Sequence, residues 1–161
     1  MAETTRGKPA ALGSDLEKAR TAFLNALASA SPRRSGALVG EWGAQELVAH
    51  VGYWAGHAAE ALHFAELGRT AEFGEDELDV DARNAVVARV ARETDLDTVQ
   101  RREEAAFTAL RDRLRAADPE WLDECVTYGD SLEQVIRDDG ADHYREHAQD
   151  LLKVTGEAGG S

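Results

Sequence analysis

The sequence predicts an all-α protein, a four-helix bundle with one long connection between its second and third helices. Apolar residues recur at spacings of three and four over long segments, the mark of a helix with one buried stripe. Helix-start signals precede these segments. No stretch is long enough in extended character to build a sheet. With 161 residues, 43% of them hydrophobic, the chain is one domain that can bury a core of its own. The expected layout is a flexible N-terminal tail over 1–12, the bundle over 13–155 and a flexible C-terminal tail over 156–161.

Ser14-Asp-Leu-Glu17 reads as a capping box that opens helix one, because the hydroxyl and the carboxylate satisfy free amides of the first turn. Its stripe is Leu16, Phe23, Leu24 and Leu27, and Ser31-Pro32 ends it near Ala30. Helix two starts at Gly43 as N-cap, with Glu46 three residues on and Trp42 placed to staple onto Leu47. It runs to about Leu67, just before Gly68, and its apolar face holds Leu47, Val51, Trp54, Ala58, Ala61 and Leu62.

Arg69 to Val80 is an acidic connection long enough to cross the end of the bundle. Asp79 or Asp81 then caps the segment DARNAVVARVAR, and Thr94 or Asp95 caps another running from Leu96 to about Ala117. The latter turns Val99, Ala106, Phe107, Leu110 and Leu114 inward. Its charges, Arg101 to Glu104 and Arg111 to Arg113, read as a solvated face. Asp118-Pro119 stops that helix, Trp121 and Leu122 form an apolar plug, and only Cys125 to Tyr128 has extended character. Ser131 with Gln134 is a second capping box. It opens a last helix, read as continuous from Ser131 to Val154, with Leu132, Val135, Ile136, Leu151 and Val154 in its stripe.

The net charge of −13 and pI near 4.7 argue against nucleic acid as a partner, since that affinity comes from Lys and Arg on phosphates. Cys125 is the only cysteine, so no intramolecular disulfide forms, and no base beside it in sequence marks it as reactive. No signal-peptide pattern and no apolar run near the roughly 20 residues of a membrane span is present. The expected location is cytoplasmic.

Chemistry concentrates in the histidines. His143 and His147 stand four apart within the last apolar stripe, so both imidazoles point from one face. The pair is either half of a metal site or two core-edge rings held by ordinary hydrogen bonds. On helix two, His50 lies within the apolar face one turn before Trp54 and is the natural third ligand. His57, two turns and about 10 Å further on, cannot reach the same ion and reads as a pocket or interface residue. His63 reads as surface. Asp139 and Asp150 flank the pair, each either orienting an imidazole or simply facing water. Trp42, Trp54 and Tyr144 either wall a pocket above the metal or pack the core.

The run Gly40-Glu-Trp42, followed by Glu46-Leu47-Val-Ala-His50-Val-Gly-Tyr-Trp54 and later by Asp142-His143-Tyr-Arg-Glu-His147, resembles the DinB-like superfamily. That group includes mycothiol-dependent maleylpyruvate isomerase N-terminal domains and the bacillithiol and mycothiol transferases. The resemblance spans about Ser14 to Leu152. Asp81-Ala-Arg-Asn84-Ala is similar to the third-helix start of some branches, including self-resistance hydrolases that open strained electrophilic rings. The resemblance implies metal ligands at His50, His143 and His147, a thiol-dependent S-transferase activity with mycothiol or another low-molecular-weight thiol, and by analogy a homodimer.

Three neutral imidazoles leave a coordination position open, as a catalytic metal requires. Zinc is the favoured ion, with nickel or iron as alternatives. The first expected function is therefore thiol transfer to an electrophilic small molecule in detoxification or stress. A metal-dependent hydrolase for self-resistance uses the same ligands with water. A non-catalytic ligand-binding or stress-response bundle, or an interaction module, would need no open metal position beneath a pocket.

Overall fold

The computed structural model describes residues 7–30, 38–74 and 79–159, and these residues are all-helical, with two isolated bridge pairs and no strand. The helices are α1 (Lys8–Ala30), α2 (Ala44–Glu66), α3 (Val80–Arg92), α4 (Leu96–Ala116), α5 (Leu132–Asp139) and α6 (Ala141–Gly159), with short 3-10 turns at Thr70–Glu72 and Pro119–Asp123. None of them is long and apolar enough to cross a membrane.

Most starts follow the capping chemistry of the sequence. The Gly43 amide donates to Glu46 Oε2 at 3.0 Å. Asp79 and Asp95 each accept from the amide three residues on, both at 2.9 Å. Ser131 Oγ accepts from Gln134 N at 3.1 Å, but the Gln134 amide turns to Asp138 at 2.8 Å, so this box is only half closed.

Helix one departs from expectation. It begins at Lys8, and Ser14 to Glu17 lie inside it. Pro9 sits in the first turn, where a missing N–H leaves no bond unmade. Residues 8–12, expected in the tail, are thus helical, and Leu12 is buried in the core. At the other end α6 continues to Gly159, through most of the expected C-terminal tail. Residues 1–6, the Ser31-Pro32 stop and residues 75–78 of the acidic connection lie outside the described residues.

In the bundle, α2 lies along α4 and α1 along α6, while α1–α4 and α2–α5 contacts close the barrel of helices. Phe23, Leu47, Val51, Leu62, Leu110, Leu114 and Leu151 fill the interior. The α3 segment is not one of the four walls. It packs on the outside of α2 and leaves Val86 and Val90 exposed. Gln45 of α2 ties the α3–α4 turn down by donating to the carbonyls of Ala91 and Thr94.

One stretch of α4, read as a solvated face, contains the most consequential buried charge. Glu103 is 3% exposed. Its carboxylate accepts two bonds from Arg20 of α1, at 2.7 and 2.9 Å, and one from the Tyr144 hydroxyl of α6 at 2.7 Å. The Arg20 guanidinium in turn lies 4.4 Å over the Phe107 ring. Opposite, α2 presses its Gly52 so close that a Cβ there would sit 3.0 Å from Glu103 Cα and 3.1 Å from its Cβ. A larger residue at 52 would push α2 off α4.

The last helix is also not continuous. It breaks at Gly140, whose φ and ψ of −103° and −105° are not helical, dividing α5 from α6. A Cβ at 140 would meet the Ile136 carbonyl oxygen at 2.6 Å and the Leu110 and Leu16 side chains at 3.3 and 3.4 Å. The periodicity of the apolar stripe conceals this break, because α5 and α6 each keep their own helical register. The two readings predict opposite signs for Gly140→Ala. An unbroken helix would gain about 0.5–1 kcal/mol, whereas the observed crowding should destabilise by about 1–3 kcal/mol. Urea unfolding of the variant distinguishes them, and destabilisation is the expected result.

Candidate metal centre

His50 belongs to the apolar face of α2, between Leu47 and Trp54, and is 5% exposed. The Tyr144–Glu103 bond fixes the rotation of α6 about its axis. With Tyr144 turned into the core, its neighbour His143 and, one turn on, His147 face α2. The three side chains converge, and one ring nitrogen from each lies within 4.8 Å of the other two. Ring centroids are separated by 4.5 Å for His50–His143, 4.8 Å for His50–His147 and 5.0 Å for His143–His147.

The chemistry of this set fits a soft-to-borderline divalent ion. His50 Nε2 and His143 Nε2 stand 2.6 Å apart. Two nitrogen lone pairs cannot face each other at that distance without a proton or a cation to hold them. Burial, reinforced by the neighbouring rings His143 and His147, lowers the pKa of His50 to about 3. Burial, and then His147, lowers that of His143 to about 4. Both rings are therefore neutral at physiological pH, the form that ligates. Nδ1 of His50 and Nδ1 of His147 are buried without a hydrogen-bond partner. Ligands sharing one ion at roughly 2.1 Å lie within about 4 Å of one another, so small side-chain rotations would bring the three onto it.

Around the triad is a cleft of about 610 Å³. Trp42 and Trp54 both line it while also packing into the bundle, so the pocket and core readings each describe them: Trp42 packs 4.7 Å from the His50 ring, and Trp54, 4% exposed, is nearly parallel to His143 at 6.4 Å. The Trp54 indole N–H donates to Asn84 Oδ1 of α3 at 2.8 Å, which fixes the wall. His57 also lines the cleft, 5.1 Å from Trp54.

The other candidates divide. Tyr144 is no part of the pocket. It is fully buried between Phe23 and Glu103, and burial beside that carboxylate holds its hydroxyl well above its usual pKa. Asp150 does stand next to a triad member, with Oδ2 3.3 Å from His147 Nδ1, but without hydrogen-bond geometry. Asp139 instead accepts from His57 Nδ1 at 2.7 Å. Burial raises the Asp139 carboxyl and the His57 bond partly offsets this. His63 is on the surface beside Glu66, and Cys125 is exposed and apart from the cleft.

Sequence reasoning missed one residue behind the cleft and several that line it. Phe73, buried in the acidic connection, backs the His57 ring at 4.8 Å. A lone aromatic in a run of acidic residues was the available signal. The lining residues Tyr128, Asp130, Asp138 and Glu146 were missed because only tertiary packing brings them there.

The depressed histidines make metal-free protein acid-sensitive. In the unfolded chain His50 and His143 take up protons near pH 6.5, while in the folded chain they resist until about 3 and 4. Below pH 6.5 the unfolded state thus binds more protons, and stability falls as pH drops towards 4. The urea midpoint of metal-free protein should fall between pH 7 and 5, a window above the ordinary carboxylate range. A His50→Gln, His143→Gln variant should show much less of this slope. A flat wild-type profile would contradict the burial of these rings.

Comparison with protein-family models, with characterised proteins and with solved structures gives no match for this chain.

Proposed function

We propose that the chain is a metal-dependent enzyme of the DinB-like type that directs a thiol onto an electrophilic small molecule, as a transferase in detoxification or stress. The observation that carries this reading is the meeting of three imidazoles beside an open cleft. An interaction module needs no such opening, and a structural metal site would be closed by a fourth protein ligand. His50, His143 and His147 would hold the ion. With a position left open, zinc, or nickel or iron in its place, makes a thiol or water nucleophilic near neutral pH.

The chain's own residues then supply position and proton handling. Trp42 and Trp54 flatten the walls against which an apolar substrate packs and displaces water. His57 gives its Nδ1 proton to the bond with Asp139, which leaves Nε2 to accept one. This pair favours a second reading, a hydrolase. Water is a far weaker acid than a thiol and has greater need of such an acceptor. Mycothiol is the thiol the resemblance supports, in a reducing cytoplasm where Cys125 stays free.

Metal analysis of tag-free protein tests the reading. Near-stoichiometric zinc, nickel or iron is expected in the wild type, with loss of at least about nine-tenths of it in a His143→Ala, His147→Ala variant, as removal of two of three ligands demands. Absence of bound metal in the wild type, even after incubation with zinc and with nickel, would overturn it. Metal-loaded protein would then be assayed for thiol transfer and for hydrolysis of strained electrophiles.

A further inference from the structure

The charge of the cleft is one-sided. Asp130 from the loop before α5, Asp138 from α5 and Glu146 from α6 bring exposed carboxylates to its rim from three separate segments. Asp139 lies deeper and is paired with His57. Among the described residues, no arginine or lysine lines it. Three described cations adjoin lining residues in sequence, and each is engaged: Arg83 with the Tyr53 hydroxyl at 2.9 Å, Arg137 with Glu133 at 3.0 Å, and Arg145 with Asp15 at 2.7 Å and Asp142 at 3.2 Å. The Asp130 and Glu146 side chains have no hydrogen bond or ion pair among the described residues, and Asp138 accepts only from the uncharged Gln134 amide.

Aromatic faces accompany these carboxylates. Trp42, Trp54 and Tyr128 line the same cleft. The Tyr128 hydroxyl is pushed up to about 12 by burial and by Asp139, Asp130 and Asp138, so the negative field is felt inside and not only at the mouth. The floor ends on His50, 5% exposed and with an unpartnered Nδ1, rather than on closed apolar packing. A ligand is therefore met by a polar floor, aromatic walls and a negative rim.

We propose that this cleft selects ligands bearing a protonated amine beside an aromatic or apolar body, and disfavours carboxylates. This deepens the proposed function by naming the substrate class, and rests on that reading for the chemistry. Selection itself depends only on the rim and walls. An ammonium group gains from the carboxylates and from aromatic faces together. An anion meets repulsion from three carboxylates that have no ion pair among the described residues.

The test uses the full chain in a Trp121→Phe background, where Trp42 and Trp54 are the remaining tryptophans. Quenching of their fluorescence is titrated with phenethylamine, 2-phenylethanol and 3-phenylpropionate, on metal-free and zinc-treated protein. The expected result is saturable binding, with the amine about tenfold tighter than the alcohol and the carboxylate weaker than both. An Asp130→Asn, Asp138→Asn, Glu146→Gln variant should reduce the amine preference to within about twofold. An Asp112→Asn, Glu120→Gln, Asp123→Asn variant loses the same charge from exposed positions outside the cleft and should keep the preference. Equal affinity for amine and alcohol, no saturable binding, or equal loss of preference in both variants would overturn the proposal. Failure to take up zinc would remove the metal reading while leaving the amine preference measurable in the metal-free arm.

Discussion

All four walls of the bundle meet at one carboxylate. Glu103 of α4 binds Arg20 of α1 and Tyr144 of α6, and its backbone is pressed by Gly52 of α2. A buried ionic pair of this kind is weak evidence for stability, because desolvation offsets much of its attraction. Its effect is on alignment. Leaving one partner buried without the other costs about 3–5 kcal/mol, so arrangements that slide or rotate a helix away from the contact are strongly disfavoured. His50 lies two residues from Gly52 and His143 is adjacent to Tyr144. The constraint that sets the packing of the helices is therefore also the constraint that brings the imidazoles together.

The triad itself works against the folded state. Two buried Nδ1 atoms lack partners, and an unsatisfied buried polar group costs on the order of 1–3 kcal/mol. Apolar residues at 50 and 143 would pack more favourably in the same interior. Neutral rings held close in a water-poor setting are what metal ligation needs, and bound metal would recover the unfavourable contribution by mass action on the folded state. The polar groups that would hold an ion are the same ones that make the metal-free fold less stable.

Much of this was legible in the chain. Helix starts with a side-chain acceptor at the right offset, as at Glu46, Asp79, Asp95 and Ser131, depend on residues close in sequence and were found. The same is true of His50, His143 and His147, whose positions within apolar stripes already placed them facing inward. Features decided by distant neighbours were not legible. Glu103 looks like any charged residue between Arg102 and Glu104, and only the approach of Arg20 and Tyr144 makes it interior. Tyr144 sits beside a ligand in sequence yet about 100° away around the helix, so nearness in the chain misplaced it. At the start of α1, the local signal at Ser14 was overridden by burial of Leu12 two residues earlier.

The break at Gly140 separates two kinds of residue that are neighbours in sequence. Asp138 and Asp139 ride on α5, whereas His143 and His147 ride on α6, which is anchored through Tyr144. Asp138 and Asp139 are thereby set in a helical register of their own, while Glu146 reaches the same cleft from α6 alongside the imidazoles. A substitution confined to α5 therefore alters one part of the cleft's rim without entering the helix that carries His143 and His147.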